Sequence, residues 1–443
     1  MKSEFISFIN AWSDVIMVEK GTAITLRCSE EAQVTPRLVK WMMMGEKGAR
    51  WTMLFSVDVI RERANRREIL HQGGRILEIS DYIFLRFTAM EESGGLYSCL
   101  LEKEDKKFKE RIVLLAVVKL TLAPAPFIPI DSTARLKAEV SPSYAVAGGT
   151  WLSHTGSLLL TDVSLAGTLL TKLPRVTRSD SGTYTCNITV DGQSRKPVYS
   201  YTLSVTVNGE KSDSPEHTTH FRSSAVYALV HIPEAIPGKE QVAWFPNITY
   251  GPLHSLAALA QSAVTLPCAN TNGDYVLLYW WSPDSTTKSP DLIYQFDRWR
   301  NSSSQSNIRL SLLNHSSVLS GKFSFLLRPE LKEAGRYQCE VFRDDKVFAQ
   351  VTALTVLKGY RTSDSSSMDL NCVYNERSQV ASVRWSHIQR PERQLTSSAV
   401  IGRKIITIDL PVTPDTAGQY ACTLQLKNGQ IVRYLYTVTM PHT

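Results

Sequence analysis

The residues most able to do chemistry in this chain of 443 residues are its seven cysteines. Thiols can oxidise to disulfides, bind metal ions or act as nucleophiles. Because the number is odd, at least one thiol must stay unpaired within the molecule. No two are close enough in sequence for a paired-cysteine metal motif, which favours disulfide chemistry. The seven are Cys28, Cys99, Cys186, Cys268, Cys339, Cys372 and Cys422.

A second candidate for chemistry is the histidine pair His217 and His220, in the stretch EHTTHF. The pair lies in a polar, linker-like stretch, which favours two solvated side chains over a metal site. The sequence contains no Gly-rich phosphate loop and no nucleophile elbow. It therefore predicts no catalytic residue, no metal and no cofactor, and a protein that is not an enzyme.

Four of the cysteines end the same short pattern, in which Gly stands four residues and Tyr two residues before the Cys. The copies are SGGLYSC, DSGTYTC, EAGRYQC and TAGQYAC. This pattern is typical of strand F in an immunoglobulin-like β-sandwich, where the Tyr hydroxyl bonds back to the backbone and the Cys points inward. Four copies predict four sandwich domains and an all-β fold class.

A tryptophan follows each of the three other cysteines, and the spacing from Cys to Trp is the same each time. In this fold a strand B cysteine bridges to strand F, and a strand C tryptophan packs on the bridge. The spacing therefore predicts the disulfides Cys28–Cys99, Cys268–Cys339 and Cys372–Cys422, with the core tryptophans Trp41, Trp281 and Trp385.

The second domain departs from this pattern. Its strand C tryptophan is Trp151, and Ala138 stands before it at the same spacing, where a cysteine is expected. Ala138 lies in the stretch ARLKAEV, whose alternate apolar residues face inward. Cys186 is therefore predicted to be a free thiol, buried against Trp151 and Ala138; the alternative is a thiol that pairs with another chain.

The interval between the two bridge positions sorts the domains into two kinds. It is identical in the first and third domains, shorter in the fourth, and shortest in the second when measured from Ala138. The longer interval leaves room for the C′ and C″ strands of a variable-type (V) sheet, and the shorter one indicates a constant-type (C2) domain. The prediction is four tandem immunoglobulin-like domains in V-C2-V-C2 order, at residues 1–120, 121–208, 244–357 and 358–443, with a linker at 209–243. Within each pair, strand G of one domain is expected to run almost directly into strand A of the next.

This order, with a second domain that lacks the usual bridge, resembles the receptor family of CD-four and the lymphocyte-activation-gene-three receptor. The resemblance includes LKAEVSP, TWLSHTG and LPRVTRSDSGTYTC, although CD-four carries a strand C cysteine that this chain lacks. Residues 256–392 are similar to the G-six-f type of protein from the lymphocyte-antigen-six complex locus, through AVTLPC, EAGRYQCEV, LTVLKG and SVRWSHIQ. Both resemblances imply a single-pass surface receptor of leukocyte or platelet type, and the second says nothing about a ligand.

Four Asn-X-Ser/Thr sites favour passage through the secretory route and predict a glycoprotein. They are Asn187, Asn247, Asn301 and Asn314. The first residues are interrupted by charges and do not resemble a secretion signal, and no apolar stretch of about 18 residues could span a membrane. The interpretation is an extracellular segment, from the outer side of the plasma membrane, without its signal and anchor; a cytosolic protein is the alternative.

The formal net charge of +7 comes from 49 basic and 42 acidic residues without a long run of one sign, which argues against a nucleic-acid surface. Basic residues do concentrate in two segments of the first domain, RERANRRE and EKEDKKFKE, which are expected in its G, F, C, C′ sheet and loops. They form a candidate ligand-binding surface, or alternatively a solvated strand face. The candidate residues are Arg61, Arg63, Arg66, Arg67, Lys106, Lys107, Phe108 and Lys109.

Two apolar groups have open interpretations. Met42, Met43 and Met44 alternate across a predicted strand and serve either as an adaptable contact face or as packing. Trp299, between two arginines, is either a surface anchor or a filler at a strand edge.

The leading functional hypothesis is non-catalytic extracellular recognition by an immune-type cell-surface receptor. Its membrane-distal V-type domain would bind a protein ligand, on another cell or in solution. The alternative is a homophilic cell-adhesion molecule. No nucleic acid and no small-molecule substrate is expected as a partner.

Overall fold

The computed structural model describes most of the chain, which forms two compact units, Met1–Lys211 and Ser212–Thr443. The described residues are 12, 14–29, 37–46, 50–59, 67–72, 75–80, 83–102, 108–125, 127–191, 196–208, 247–268, 271–283, 289–313, 321–344 and 346–440. At positions 67–72, 75, 76, 79, 80, 108, 109 and 247 the description covers the backbone alone. Nearly all regular structure in these residues is β-strand; single turns of 3-10 helix occur at Glu91–Ser93, Ser143–Ala145, Arg178–Asp180 and Leu331–Glu333.

The first unit contains two sandwiches. Strands of the first are β1 Asp14–Glu19, β2 Ala23–Arg27, β3 Leu38–Gly45, β4 Thr52–Asp58, β5 Arg67–Gln72, β6 Arg75–Ser80, β7 Phe84–Thr88, β8 Gly95–Glu102 and β9 Phe108–Ala123. Strands of the second are β10 Ile128–Pro129, β11 Ala134–Ser141, β12 Val146–Leu152, β13 Leu158–Leu159, β14 Asp162–Val163, β15 Thr168–Leu173, β16 Gly182–Val190, β17 Val198–Val205 and β18 Val207–Asn208.

In the first sandwich, the sheet β4-β3-β8-β9 with β1 faces the sheet β2-β7-β6-β5. The Cys28–Cys99 disulfide joins the two sheets, with a Cα separation of 5.4 Å. Trp41 on β3 is the register partner of Cys99 and is buried in the same core. Strand alternation places Val39 and Met43 on that inner side, since both are buried there as well.

In the second sandwich, the sheet β13-β12-β16-β17 faces a sheet made by β14, β15, β11 and the second half of β9. Within the residues described for this sandwich, no disulfide joins the two sheets. Ala138, Trp151 and Cys186 are each 0% exposed and belong to one core. Trp151 is the register partner of Cys186, and its indole N–H donates to the carbonyl of Leu169 at 3.3 Å.

The second unit repeats this two-sandwich plan. Its third sandwich contains β19 Asn247–Tyr250, β20 His254–Leu259, β21 Val264–Pro267, β22 Tyr275–Trp281, β23 Asp291–Asp297, β24 Ser302–Gln305, β25 Leu310–Leu312, β26 Ser324–Leu327, β27 Gly335–Arg343 and β28 Lys346–Ser363. The fourth contains β29 Ser367–Asn375, β30 Val380–His387, β31 Ser397–Val400, β32 Arg403–Asp409, β33 Gly418–Leu426 and β34 Ile431–Val438.

The third sandwich is variable-like, since its sheet β24-β23-β22-β27-β28 has two strands beyond β22. It faces the sheet β21-β26-β25, and the Cys268–Cys339 disulfide joins the two. The fourth sandwich pairs the sheet β28-β29-β32-β31 with β30-β33-β34. Its bridge is Cys372–Cys422, and Trp385 is the register partner of Cys422.

The prediction for Trp281 is wrong. Leu278, not a tryptophan, is the register partner of Cys339. Because side chains alternate along a strand, Leu278 and Trp280 share the disulfide side, and Trp281 faces the opposite side of the sheet. The constant spacing from Cys to Trp leads to the wrong face here, because Trp281 lies three residues past the register partner of Cys339.

One long strand passes through both sandwiches of each unit. The first part of β9 pairs with β8 and β1, up to Val118, and the part from Val117 onward pairs with β11. In the second unit β28 pairs with β27 and β20, then with β29 from Val356 onward. The expected direct run from one domain into the next is therefore a single continuous strand in both units.

All four sandwiches share one turn before strand F. Each Tyr of the repeated pattern donates its hydroxyl to a backbone carbonyl four residues earlier, at Ser93, Asp180, Glu333 and Thr416. The Gly at the start of the strand has a positive φ each time, from +135° at Gly418 to +156° at Gly95. A Cβ at Gly335 would lie 2.1 Å from the carbonyl oxygen of Trp281, so a side chain is excluded there by sterics as well as by backbone conformation.

Candidate binding surface

The predicted basic cluster of the first sandwich does not assemble on one sheet. Arg67 begins β5, which belongs to the sheet with β2, β7 and β6. Phe108 and Lys109 begin β9, in the opposite sheet. The expectation that Arg67 shares the G, F, C, C′ sheet is thus wrong, because β5 forms its hydrogen bonds with β6. Arg61, Arg63, Arg66, Lys106 and Lys107 lie outside the described residues.

The described part of the β4-β3-β8-β9 sheet presents a different surface to solvent. We call its outer side, represented by Lys40, Met42, Met53, Ser56 and Leu100, the front face. Met42 and Met53 are register partners on neighbouring strands, as are Lys40 and Leu100. Met53 is 52% exposed, and Met42, Lys40 and Leu100 are half-buried.

Methionine makes this surface adaptable. Met43 points into the core and is 6% exposed, Met42 lies on the front face, and Met44 packs against the core of the second sandwich. Trp51, two residues before Met53, is 39% exposed. Flexible thioether side chains beside an exposed indole suit the binding of another protein, since both residue types are enriched in protein interfaces.

Charge at the front face is sparse and mixed. Lys40 lies within it, and Glu102 and Glu110 lie on the neighbouring strands. Glu110 accepts a hydrogen bond from the Ser98 hydroxyl at 2.5 Å, which holds that carboxylate against the sheet. Charged groups beside apolar side chains are common in protein interfaces.

The second sandwich covers another part of the same sheet, which we call its lower part. Leu96, Leu114 and Ala116 are buried in the core that also contains Trp151 and Cys186. At this junction the backbone of Ser141 comes so close to Gly94 that an added Cβ would lie 2.2 Å from its carbonyl oxygen. The first sandwich is therefore seated on the second by direct packing.

Charges reinforce this junction. Glu91 lies 2.9 Å from the ammonium of Lys20 and 3.1 Å from that of Lys119. Hydrogen bonds from Lys20 and Lys119 lower the pKa of Glu91 below its ordinary value. Glu46, just after β3, accepts the backbone N–H of Ser143 in the second sandwich at 3.0 Å.

The corresponding side of the third sandwich is largely buried along β22, β27 and β28. Five apolar residues on β22, β27 and β28 form a cluster of their own, away from the disulfide, and each is at most 8% exposed, while the partly buried Trp281 packs against them. The cluster contains Tyr275, Leu277, Tyr279, Phe342 and Val347. Glu340 on the same side is 1% exposed and accepts a hydrogen bond from Gln338 at 2.7 Å. Exposed apolar side chains such as Met53 therefore lie on the front face of the first sandwich, whereas the apolar cluster on β22, β27 and β28 of the third is buried.

Trp299 is a core residue, not a surface anchor. It is 1% exposed. The buried carboxylate of Asp297 accepts its backbone N–H at 2.9 Å, which fixes the turn after β23.

Cys186 is a buried, unpaired thiol within the described residues. Burial raises its pKa to about 12, so the thiol stays protonated near neutral pH. A protonated, inaccessible sulfur is a poor nucleophile and a poor metal ligand. Its placement against Trp151 and Ala138 agrees with packing and not with pairing to another chain.

The glycosylation sites differ in their surroundings. Asn187 lies within β16, half-buried, and Asn301 lies exposed in the turn before β24. Asn247 begins β19, with a side chain outside the description, and Asn314 lies outside the described residues.

Within the described part of the chain, no group of three or more His, Cys, Asp or Glu side chains could hold a metal ion. No helix in that part is both long and apolar enough to cross a membrane. His217 and His220 lie outside the described residues. A cavity of about 770 Å³ in the third sandwich is lined by Arg309 and Glu333, but Nη1 of Arg309 already donates to both carboxylate oxygens of Glu333, at 2.8 and 2.9 Å.

No protein-family model and no curated protein matches the chain. Among solved structures, it is similar to the N-terminal eight Ig domains of Down Syndrome Cell Adhesion Molecule isoform 1.30.30, at 13% identity and a TM-score of 0.20, covering 96% of this chain and 53% of that one. It is also similar to the N-terminal four Ig domains of Dscam1 isoform 6.9, at 12% identity, a TM-score of 0.20 and 98% coverage of both chains. A titin I-band fragment, I67–I69, gives 11% identity and a TM-score of 0.16, over 77% of this chain and 95% of that one. Since such TM-scores reflect poor superposition, the assignment of immunoglobulin-like sandwiches rests on the sheets, disulfides and tyrosine turns.

Proposed function

We propose that the chain is an extracellular recognition protein that binds a protein partner through the front face of its first sandwich. The observation that carries this proposal is the exposure of Met53 and Trp51 beside the half-buried Met42, on a sheet whose lower part is already packed on the second sandwich. An exposed methionine on the sheet and an exposed tryptophan just before β4 match the composition of protein interfaces.

The compartment belongs to the same proposal. Three disulfides are stable in oxidising surroundings such as the cell exterior, and reduced thiols are the rule in the cytosol. A chain of immunoglobulin-like sandwiches without a catalytic constellation in its described residues suits adhesion or ligand recognition. That it is an immune-type receptor with the first sandwich distal to the plasma membrane is the more specific form of the proposal, supported by the V-C2-V-C2 spacing.

A charge placed at the centre of the front face tests the proposal. In the full chain, Met53→Lys should lower binding to partner-bearing cells by roughly tenfold or more, since hot-spot losses begin at about 2 kcal/mol and about 1.4 kcal/mol corresponds to tenfold. Fluorescent multimers of the chain, measured on a panel of leukocytes by flow cytometry, give the readout. Thr25→Lys adds the same charge to the exposed side of β2, on the opposite sheet, and should bind as wild type does.

Equal binding by folded Met53→Lys would overturn the front face as the site. A second variant, Phe108→Ala with Lys109→Ala, then asks whether the start of β9 in the same sheet carries the contact.

The second candidate function is homophilic adhesion. The front face combines an apolar centre with both signs of charge, so two copies related by a two-fold axis could pair through it. Sedimentation of the full chain at rising concentration separates the two functions. A dimer that Met53→Lys abolishes supports the homophilic function, and a monomer throughout supports a different partner.

A further inference from the structure

The turn between β23 and β24 holds an Asn-X-Ser site on a firmly anchored backbone. Asp297, 1% exposed, accepts the backbone N–H of Trp299 at 2.9 Å and that of Arg300 at 3.0 Å. Asn301 follows with a φ of +49°, and its N–H donates to the carbonyl of Arg298 at 3.3 Å. Its side chain is exposed, and so is Ser303, which completes the site on β24.

Asn187 provides the contrast. It lies inside the nine-residue strand β16, and its side-chain oxygen accepts a hydrogen bond from the Ser200 hydroxyl at 2.7 Å. A glycan on this amide would have to fit on the surface of a sheet, beside the neighbouring strand β17. A glycan on Asn301 would project from a turn, and within the described residues no neighbouring strand lies on the open side of β24.

The position of Asn301 matters because β24 is an edge strand. It is the last strand in the order of the ten-stranded sheet, and all four of its residues are exposed. Proteins protect such edges by keeping them short or with charges, prolines or bulges, since unpaired backbone groups otherwise attract another strand. The sequence of β24, Ser-Ser-Ser-Gln, contains no charge and no proline. Apart from its length of four residues, β24 therefore has neither of these side-chain protections, and a bulky group attached where the strand begins would add one.

We propose that Asn301 carries an N-linked glycan that covers the open edge of β24. The side-chain amide nitrogen of Asn301 forms a bond to the anomeric carbon of a lipid-diphosphate-linked oligosaccharide. The bond from that carbon to the lipid diphosphate breaks, the diphosphate leaves with the electron pair, and the amide nitrogen loses one proton. The inference rests on the proposed extracellular function, because this donor is used in the secretory route.

Occupancy is tested on the full chain, secreted from mammalian cells with an added leader peptide so that secretory transit does not depend on the native signal. Peptide mass spectrometry before and after enzymatic deglycosylation should find a glycan on Asn301. Asn301→Gln and Ser303→Ala should each lose one glycan. The first variant removes the acceptor asparagine, and the second leaves it in place and removes only the serine of the site. A secreted, folded chain without a glycan on Asn301 would overturn the inference. Binding through the front face is measured separately, so that result would not decide the proposed function.

The protective role has its own readout. Asn301→Gln should self-associate in sedimentation at concentrations where the glycosylated chain is a monomer. The double variant Asn301→Gln, Ser304→Lys places a charge on β24 and should return to the monomer, because a lysine is a known protector of edges. Thr25→Lys combined with Asn301→Gln is the matched control and should stay associated. Monomeric Asn301→Gln, or association that the Ser304→Lys change does not reverse, would overturn the role at the edge.

Discussion

The cores of the second and fourth sandwiches share one architecture, although the fourth contains a disulfide and the second does not. Trp151 and Trp385 occupy matching places, each the register partner of the strand F cysteine. Each indole N–H donates at 3.3 Å to a carbonyl on the facing sheet, at Leu169 and at Lys404. Those two residues are in turn the register partners of Ala138 and Cys372. Ala138 therefore occupies the position of Cys372, and the tryptophan's geometry does not depend on the bridge.

This difference shows what the disulfide contributes. A disulfide stabilises mainly by restricting the unfolded chain, so its removal need not alter the folded geometry. In the second sandwich the space is filled by a methyl group and a thiol, both 0% exposed. Packing therefore holds the sandwich together, and a loss of packing should cost it more than it costs the fourth.

The largest effect is expected for Trp151→Ala. Removing a buried tryptophan costs about 3–5 kcal/mol, which is most of the stability of a marginal domain. Hydrogen exchange of the β12 and β16 amides in the full chain should become fast, whereas Trp385→Ala should leave β33 protected, because the Cys372–Cys422 bridge remains. Trp151→Phe keeps a ring in the core and should lose less. Unchanged protection of β16 in Trp151→Ala would contradict the role of packing.

The next effect is expected when the fourth sandwich loses its bridge. For a loop of 50 residues the chain-entropy relation gives a loss of about 4 kcal/mol in the double variant Cys372→Ala, Cys422→Ala. The urea midpoint for exchange of β33 should fall toward that of β16. Cys186→Ala removes a strand F sulfur where no bridge exists and should cost clearly less. Equal losses in both proteins would mean that sulfur packing, and not the covalent link, is the source.

The smallest effect is a gain, expected for Ala138→Cys. The matching pair in the fourth sandwich has a Cα separation of 6.4 Å, within the range that a disulfide accepts. The new cysteine should form a disulfide with Cys186 and stabilise the second sandwich by about 2–4 kcal/mol. For a domain of this size, each kcal/mol raises the Tm by roughly 4–8 °C. Thiol titration of the denatured chain should fall from one free thiol to none. A chain that keeps two free thiols would show that Ala138 and Cys186 are not placed as their counterparts are.

Much of this fold follows from local spacing in the sequence. The three disulfides are the pairs predicted from the distances between Cys and Trp, and Ala138 and Cys186 are buried where alternation places them. These predictions succeed because a strand has a strict period of two and a sandwich has one interior. The same reasoning failed at Trp281, since a residue count from Cys268 does not fix the register between β22 and β27, in which Leu278 lies opposite Cys339.

The candidate site was less accessible to sequence reasoning. Basic runs mark solvated segments, and their letters do not reveal that β5 joins the sheet opposite to β9. The exposure of Met53 and Trp51 depends on which part of the sheet the second sandwich covers, and that is a long-range property. The alternation of the three methionines was the one signal in the sequence that pointed to this surface.

The strand that runs through both sandwiches of each unit has a mechanical consequence. β28 contains 18 residues, which at about 3.3 Å per residue spans roughly 60 Å of uninterrupted backbone. Its ladders with β20 and β29 overlap at Val356 and Leu357, so bending there would require hydrogen bonds to break. A partner that pulls on one sandwich of the unit would therefore transmit the force to the other sandwich without bending at their junction. The two sandwiches of the unit are already oriented once the chain has folded. Binding therefore does not include the entropic cost of orienting one sandwich relative to the other.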